Sequence, residues 1–213
     1  MHYGFERLKA AASIFVKKQN GHKIILLNAV DDQLYYSTSD EMRKKFEYNV
    51  GQRFDVDLMG QAHWYLQSRI TQSANFDITV DQSRYIALII ARFLPQLGVD
   101  NVTDEEKKKY DTPLPHDFVA TKKERSENYL EVLKLQEEFG FEYASVIGML
   151  IYLMNTAFML NFAISKLGKF NSLPGRKHFK ALNHMLRYLR CHHFVEEHAG
   201  RRHAGDVLCQ PNW

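Results

Sequence analysis

Apolar and polar residues alternate in short runs over the first third of the chain and recur with helical spacing towards its end. Residues 13–18 are apolar-rich, Asn20-Gly21 is a strong tight-turn pair, and residues 23–30 form a second run, which together predict a β-hairpin. Ile24, Ile25, Leu26 and Leu27 are all apolar, so this strand is expected inside a sheet covered on both faces. It runs into Asp31-Asp32, and Gln33-Leu34-Tyr35-Tyr36 then resumes a strand pattern. The two acids therefore fall at the tip of a second hairpin. Thr38 and Glu41 have capping-box spacing, and Met42, Phe46 and Val50 follow one turn apart, predicting a helix. Residues 62–70 and 76–80 predict another hairpin around Ser73-Ala74-Asn75. Asp81 suits an N-cap for a helix through Tyr85, Leu88, Ile89 and Arg92.

The second half reads as helical. Residues 98–111 are polar and of mixed charge, a surface segment. Thr112-Pro113-Leu114-Pro115 is extended, because a residue before proline is pushed out of the helical region. Residues 121–138 predict a charged helix with a thin stripe of Leu130, Leu133 and Leu135. Residues 144–167 predict one long buried helix, which Pro174-Gly175 closes off. The apolar run 146–164 has about the length of a membrane span, but Gly148, Asn155, Thr156 and Asn161 interrupt it, and a buried core helix is the better reading. Phe179, Leu182, Leu186 and Leu189 then line one face of a final helix. Strands with a helix between hairpins, followed by helices only, indicate an α+β fold passing into a helical region.

The composition is that of a globular protein, and aromatic residues at 13% argue against disorder. Charge is uneven. Residues 61–163 carry 10 Lys/Arg against 14 Asp/Glu, whereas residues 164–213 carry 9 against 3 and hold six of the ten histidines. A basic final third suits either a polyanionic partner or a solvated surface. Cys191 and Cys209 are the two cysteines, too few for a disulfide framework. With no leader-like apolar run at the start, an intracellular place in cytoplasm or nucleus is expected.

Two adjacent aspartates at the end of an apolar strand admit two explanations. Aspartate is a common turn former. It is also a hard oxygen ligand, and Mg²⁺ is typically held by one or two carboxylates together with substrate phosphates. Two such ions can clamp the attacking and leaving oxygens of a phosphoryl displacement.

The order of motifs around this pair resembles the reverse transcriptases of copia-type retroelements. The residues that carry the resemblance are Val30 before Asp31-Asp32, Leu58-Met59-Gly60, Trp64-Tyr65-Leu66-Gln67 with Ile70, and Gln82 with Arg84-Tyr85. Thr112-Pro113 continues the series, followed by Tyr143, Ser145, Gly148, Leu150 and Tyr152-Leu153, and then by His178 and Leu186-Arg187-Tyr188-Leu189. The agreement covers about residues 4–190. It implies a partial reverse-transcriptase palm sheet over residues 1–80, thumb-like helices and a linker over 81–142, a helical connection region over 143–190, and a divergent tail over 191–213. Asp31 and Asp32 would be catalytic, metal-binding carboxylates for Mg²⁺. Trp64, Tyr65, Leu66 and Gln67 would form a primer-grip-like hairpin, and the partner would be a nucleic acid template–primer duplex, with no membrane. The implied reaction is nucleotidyl transfer to a primer 3′ end.

Three departures stand out. Ala29 replaces an aromatic residue, Gln67 replaces a glycine, and Asn155-Thr156-Ala157-Phe158-Met159 replaces the Thr-Arg-Pro-Asp stretch of the family. The chain also starts after the place of the family's first catalytic aspartate, so it is expected to be inactive alone. Two other groupings carry alternatives. Lys177, Lys180, His184 and Arg187 share one face of the final helix, which would contact phosphates in a non-catalytic nucleic-acid-binding module or else be a solvated face. A helical scaffold role stands as a third reading. Cys191, His192, His193, His198, His203 and Cys209 are zinc-type ligands, but their spacing fits no ordinary zinc site.

Overall fold

A computed structural model describes residues 4–192, apart from 74, 76, 99, 100 and 120. The architecture is α+β, with strands confined to the first part of the chain and helices filling the rest. The chain divides after Val80 into two compact units.

The first unit holds a four-stranded antiparallel sheet in the order β1 (Glu6–Arg7), β2 (Ile14–Gln19), β3 (His22–Ala29), β4 (Asp32–Ser37). Asn20 and Gly21 both take positive φ, 51° and 78°, in the two-residue turn between β2 and β3. That is the turn their side chains favour, because its twist matches the strands it joins. Helix α1 (Asp40–Gly51) lies on one face of this sheet, where Phe46 meets Tyr35 at 5.1 Å and Phe5 at 5.6 Å between ring centres. The Tyr35 hydroxyl donates to Glu47 Oε1 at 2.6 Å, and Glu47 also holds Arg43 at 2.8 Å. Burial and this carboxylate together push the Tyr35 phenol well above its usual range. The N-cap is Ser39, whose hydroxyl accepts from the Met42 N–H, one residue later than the expected Thr38. Thr38 instead binds back to the Lys23 backbone. The expectation that β3 is covered on both faces is corrected: Ile24 is buried on the α1 side, whereas Ile25 and Leu27, pointing the other way, are half-buried. A second sheet orders β5 (Trp64–Tyr65), β6 (Ser68–Gln72) and β7 (Ile78–Asp81).

The second unit is helical. It comprises α2 (Ser83–Phe93), α3 (Asp104–Lys109), α4 (Tyr129–Phe139), α5 (Tyr143–Leu153), α6 (Asn161–Gly168) and α7 (Arg176–His192). Its core is one cluster drawn mainly from α2, α4, α5, α6 and α7. Phe179 sits fully buried at 5.2–5.7 Å from the rings of Tyr143, Phe139 and Phe141. The stripe expected on α7 is the buried one. Two others are corrected. Helix α2 buries Ile86, Ile89, Ile90 and Phe93 while Leu88 is exposed, and α4 buries Val132 and Leu135 while Leu130 and Leu133 face out.

The single long helix expected over 144–167 is two helices. Helix α5 stops at Leu153, and a 3₁₀ turn at Phe158–Leu160 leads into α6. Thr156 fixes the break: its hydroxyl turns back to the Leu153 carbonyl and donates to the buried Gln82 side chain, a local alternative to the helical ladder. Among the described residues no helix is long and apolar enough to cross a membrane. The polar segment 98–111 contains α3, with Thr103 and Glu106 forming a reciprocal capping box. The guanidinium of Arg190, 4% exposed, is matched by Glu106 Oε1 at 2.9 Å and the Gly98 carbonyl at 2.8 Å.

Candidate functional site

The β3–β4 hairpin closes with Ala29 opposite Asp32, leaving Val30 and Asp31 as its two-residue turn. Val30 has a φ of 50° and is 92% exposed. Positive φ is unusual for a β-branched residue, and strain of this kind clusters at functional positions. Asp31 sits in the turn and Asp32 opens β4. Both are exposed, and neither side chain has a hydrogen bond or ion pair among the described residues. Behind them Gln33 Nε2 donates to Asn28 Oδ1 at 3.0 Å, tying the two strands together across the register.

A second hairpin carries Trp64 opposite Arg69 and Tyr65 opposite Ser68. Leu66 and Gln67 form its turn with φ of 47° and 60°, the two positive values of a type I′ turn, in which glycine and asparagine are the easy residues. Trp64, Leu66 and Gln67 are exposed and Tyr65 is half-buried. Burial pushes the Tyr65 phenol up, and the negative charge of Asp32 adds to it. The fold thus brings Tyr65 within range of the Asp32 charge. The sequence names both residues but offers no sign of that proximity.

The four residues of the α7 face are placed differently from one another. Lys177 Nζ binds Glu124 Oε1 at 2.7 Å. A His184 ring nitrogen lies 3.0 Å from the Thr112 carbonyl, and burial lowers its pKa. The Arg187 guanidinium stands 5.7 Å over the Tyr110 ring, while Lys180 is exposed. Of the Cys/His group, Cys191 is buried and His192 meets the Tyr110 carbonyl at 2.9 Å. His193, His198, His203 and Cys209 lie outside the described residues. Among the described residues no group of three or more His, Cys, Asp or Glu is disposed to hold a metal ion. Asp31 and Asp32, without a hydrogen bond or ion pair among the described residues, are hard oxygen donors of the type that holds Mg²⁺.

Two retrotransposon Pol polyproteins are similar to this chain over most of its length. The chain is 26% identical over 184 residues to the retrovirus-related Pol polyprotein from transposon TNT 1-94 of Nicotiana tabacum, covering 83% of this chain. A second such Pol polyprotein, from transposon RE1 of Arabidopsis thaliana, is 26% identical over 186 residues, 87% of this chain. The chain spans 12% and 11% of the lengths of these two Pol polyproteins. No family model matches, and no solved structure matches.

Proposed function

We propose that this chain is the part of a copia-type retrotransposon Pol polyprotein that carries the carboxylate hairpin of an RNA-directed DNA polymerase. The observation that carries the reading is the hairpin tip, where Asp31 and Asp32 stand exposed with no hydrogen bond or ion pair among the described residues. A pair serving only as a turn former would be expected to turn its carboxylates onto local backbone N–H groups. Among the described residues these carboxylates make no such bond.

In this reading Asp31 and Asp32 hold Mg²⁺, which when bound would neutralise the triphosphate and lower the cost of transferring its nucleotidyl group. The chain's own share is positioning. The β3–β4 register sets both carboxylates on one tip, and the Gln33–Asn28 bond stiffens the strands behind them. Burial, and after it the Asp32 charge, oppose ionisation of the Tyr65 phenol. The exposed Trp64, Leu66 and Gln67 beside it would touch the primer strand.

The test is salt-titrated binding of a template–primer duplex with and without Mg²⁺, together with primer extension on the same duplex. The reading expects a Mg²⁺-dependent component of affinity that disappears in the Asp31→Asn, Asp32→Asn double variant. Binding indifferent to both the metal and the substitutions would overturn it, as would extension that survives them.

A further inference from the structure

The outward face of α6 and of the 3₁₀ turn before it is not an ordinary solvated face. Phe158 and Phe162 are 59% and 68% exposed. Leu160 and Asn161 both have right-handed helical dihedrals, so the turn runs straight into α6. The two exposed rings therefore stand on successive turns of one continuous path. Lys166 lies one turn beyond Phe162, its Nζ 5.3 Å from the centre of that ring, and Lys169, the C-cap residue of α6, is exposed. On the opposite side Leu160, Ala163, Ile164 and Leu167 are buried. That anchoring fixes the rotation of the helix and prevents either ring from turning inward.

Single exposed apolar residues need no explanation, but a pair followed by lysines does. Charge distinguishes the possible occupants. From Tyr143 to His192 the chain has seven Lys/Arg and no Asp or Glu. Arg176, Lys177 and Arg190 are neutralised by Glu138, Glu124 and Glu106. Lys166 and Lys169 have no ion pair among the described residues. A second copy seated on this face would oppose lysine to lysine. A purely apolar partner would strand both ammonium groups. A polyanion that also presents flat apolar rings satisfies both rings and lysines. Duplex bases keep their faces stacked on each other, whereas unpaired bases offer them to aromatic side chains.

We propose that Phe158, Phe162, Lys166 and Lys169 form a binding platform for single-stranded nucleic acid, with bases stacking on the two rings and phosphates meeting the two lysines. The platform uses none of the residues of the carboxylate hairpin and stands independently of the polymerase reading.

The test is fluorescence anisotropy of the full chain with labelled oligo(dT) and with a blunt duplex of the same length, each titrated with salt. Oligo(dT) is expected to bind more tightly than the duplex. Phe158→Ala with Phe162→Ala is expected to weaken oligo(dT) binding about tenfold or more while leaving the salt slope unchanged. Lys166→Ala with Lys169→Ala is expected to flatten that slope by about 1.4, or 0.7 per phosphate contact. Phe158→Tyr with Phe162→Tyr keeps the stacking surface and is expected to retain binding, which separates loss of the platform from loss of fold. Affinity unchanged in the alanine pair overturns the proposal, as does tighter binding of the duplex. A wild-type dimer in sedimentation that the alanine pair makes monomeric, with oligo(dT) binding unaltered, assigns the face to a second copy and overturns it as well.

Discussion

Replacing Val30 by glycine relaxes the turn that presents the two aspartates. Val30 has a φ of 50° and is 92% exposed. A β-branched residue held in so sparsely populated a region costs about 1–3 kcal/mol. Its exposure means that almost no apolar burial is lost when the side chain is removed. Glycine adds a backbone entropy cost of about 0.5–1 kcal/mol. The net expectation is a stabilisation of the hairpin by about 1 kcal/mol, or roughly fivefold in its local opening equilibrium. Because the chain has two compact units, global unfolding would blur a local effect. Amide hydrogen exchange of peptides covering β3 and β4 reads it directly. Exchange about fivefold slower in Val30→Gly, with α7 peptides unchanged, supports the argument. Faster exchange would mean that the valine makes interactions outweighing its backbone strain, and would refute it.

Gln67→Gly acts in the same way at the second hairpin, where φ is 60°; protection of β5 and β6 amides is expected to rise by a similar factor. Phe179→Ala empties the centre of the ring cluster with Phe139, Phe141 and Tyr143, and is expected to cost about 3–5 kcal/mol in denaturant unfolding of the helical unit. His178 is fully buried, accepts from the Gly175 N–H at 3.0 Å, and faces Glu124, Arg125 and Lys177; burial holds its pKa below the ordinary value. The unfolded chain therefore takes up the proton first. The stability this residue contributes is complete above about pH 6.5 and is lost as pH falls below it. His184, lowered for the same reason, adds to that slope. Thermal melts between about pH 7 and 5 should show the decline, and His178→Gln should make it shallower.

Several features were legible because local chemistry and long-range structure agree. Asn20-Gly21 demands a two-residue turn and receives one, which sets the β2–β3 register, and the β3–β4 pairing of Ala29 with Asp32 then puts Asp31 in the next turn. On α7 one apolar stripe is available and it is the one buried. Where apolar residues cover more than one face, sequence spacing has no means of choosing. On α4, Leu130 and Leu133 competed with Val132 and Leu135, and tertiary contact decided for the latter pair. The run 144–167 is apolar nearly throughout, so its break was invisible until Thr156 found Gln82, 74 residues away in sequence. Helix α3 has no apolar stripe at all, and its only signal was the Thr103–Glu106 spacing that its capping box uses.

The candidate site divides in the same way. The pair of aspartates and the aromatic hairpin can be named from their order along the chain, but the proximity of Tyr65 to Asp32 comes only from the fold. The α7 cations share a face as their spacing requires. What that spacing could not reveal is how far Lys177, His184 and Arg187 are already engaged by Glu124, Thr112 and Tyr110.

The most direct test of the central claim, that Asp31 and Asp32 are ligands of a catalytic metal, is paramagnetic broadening of backbone amide signals by Mn²⁺ with template–primer and nucleotide present. The account predicts broadening centred on Val30, Asp31 and Asp32 that vanishes in the Asp31→Asn, Asp32→Asn variant. Sharp signals at that tip, or broadening that persists after both substitutions, would contradict it.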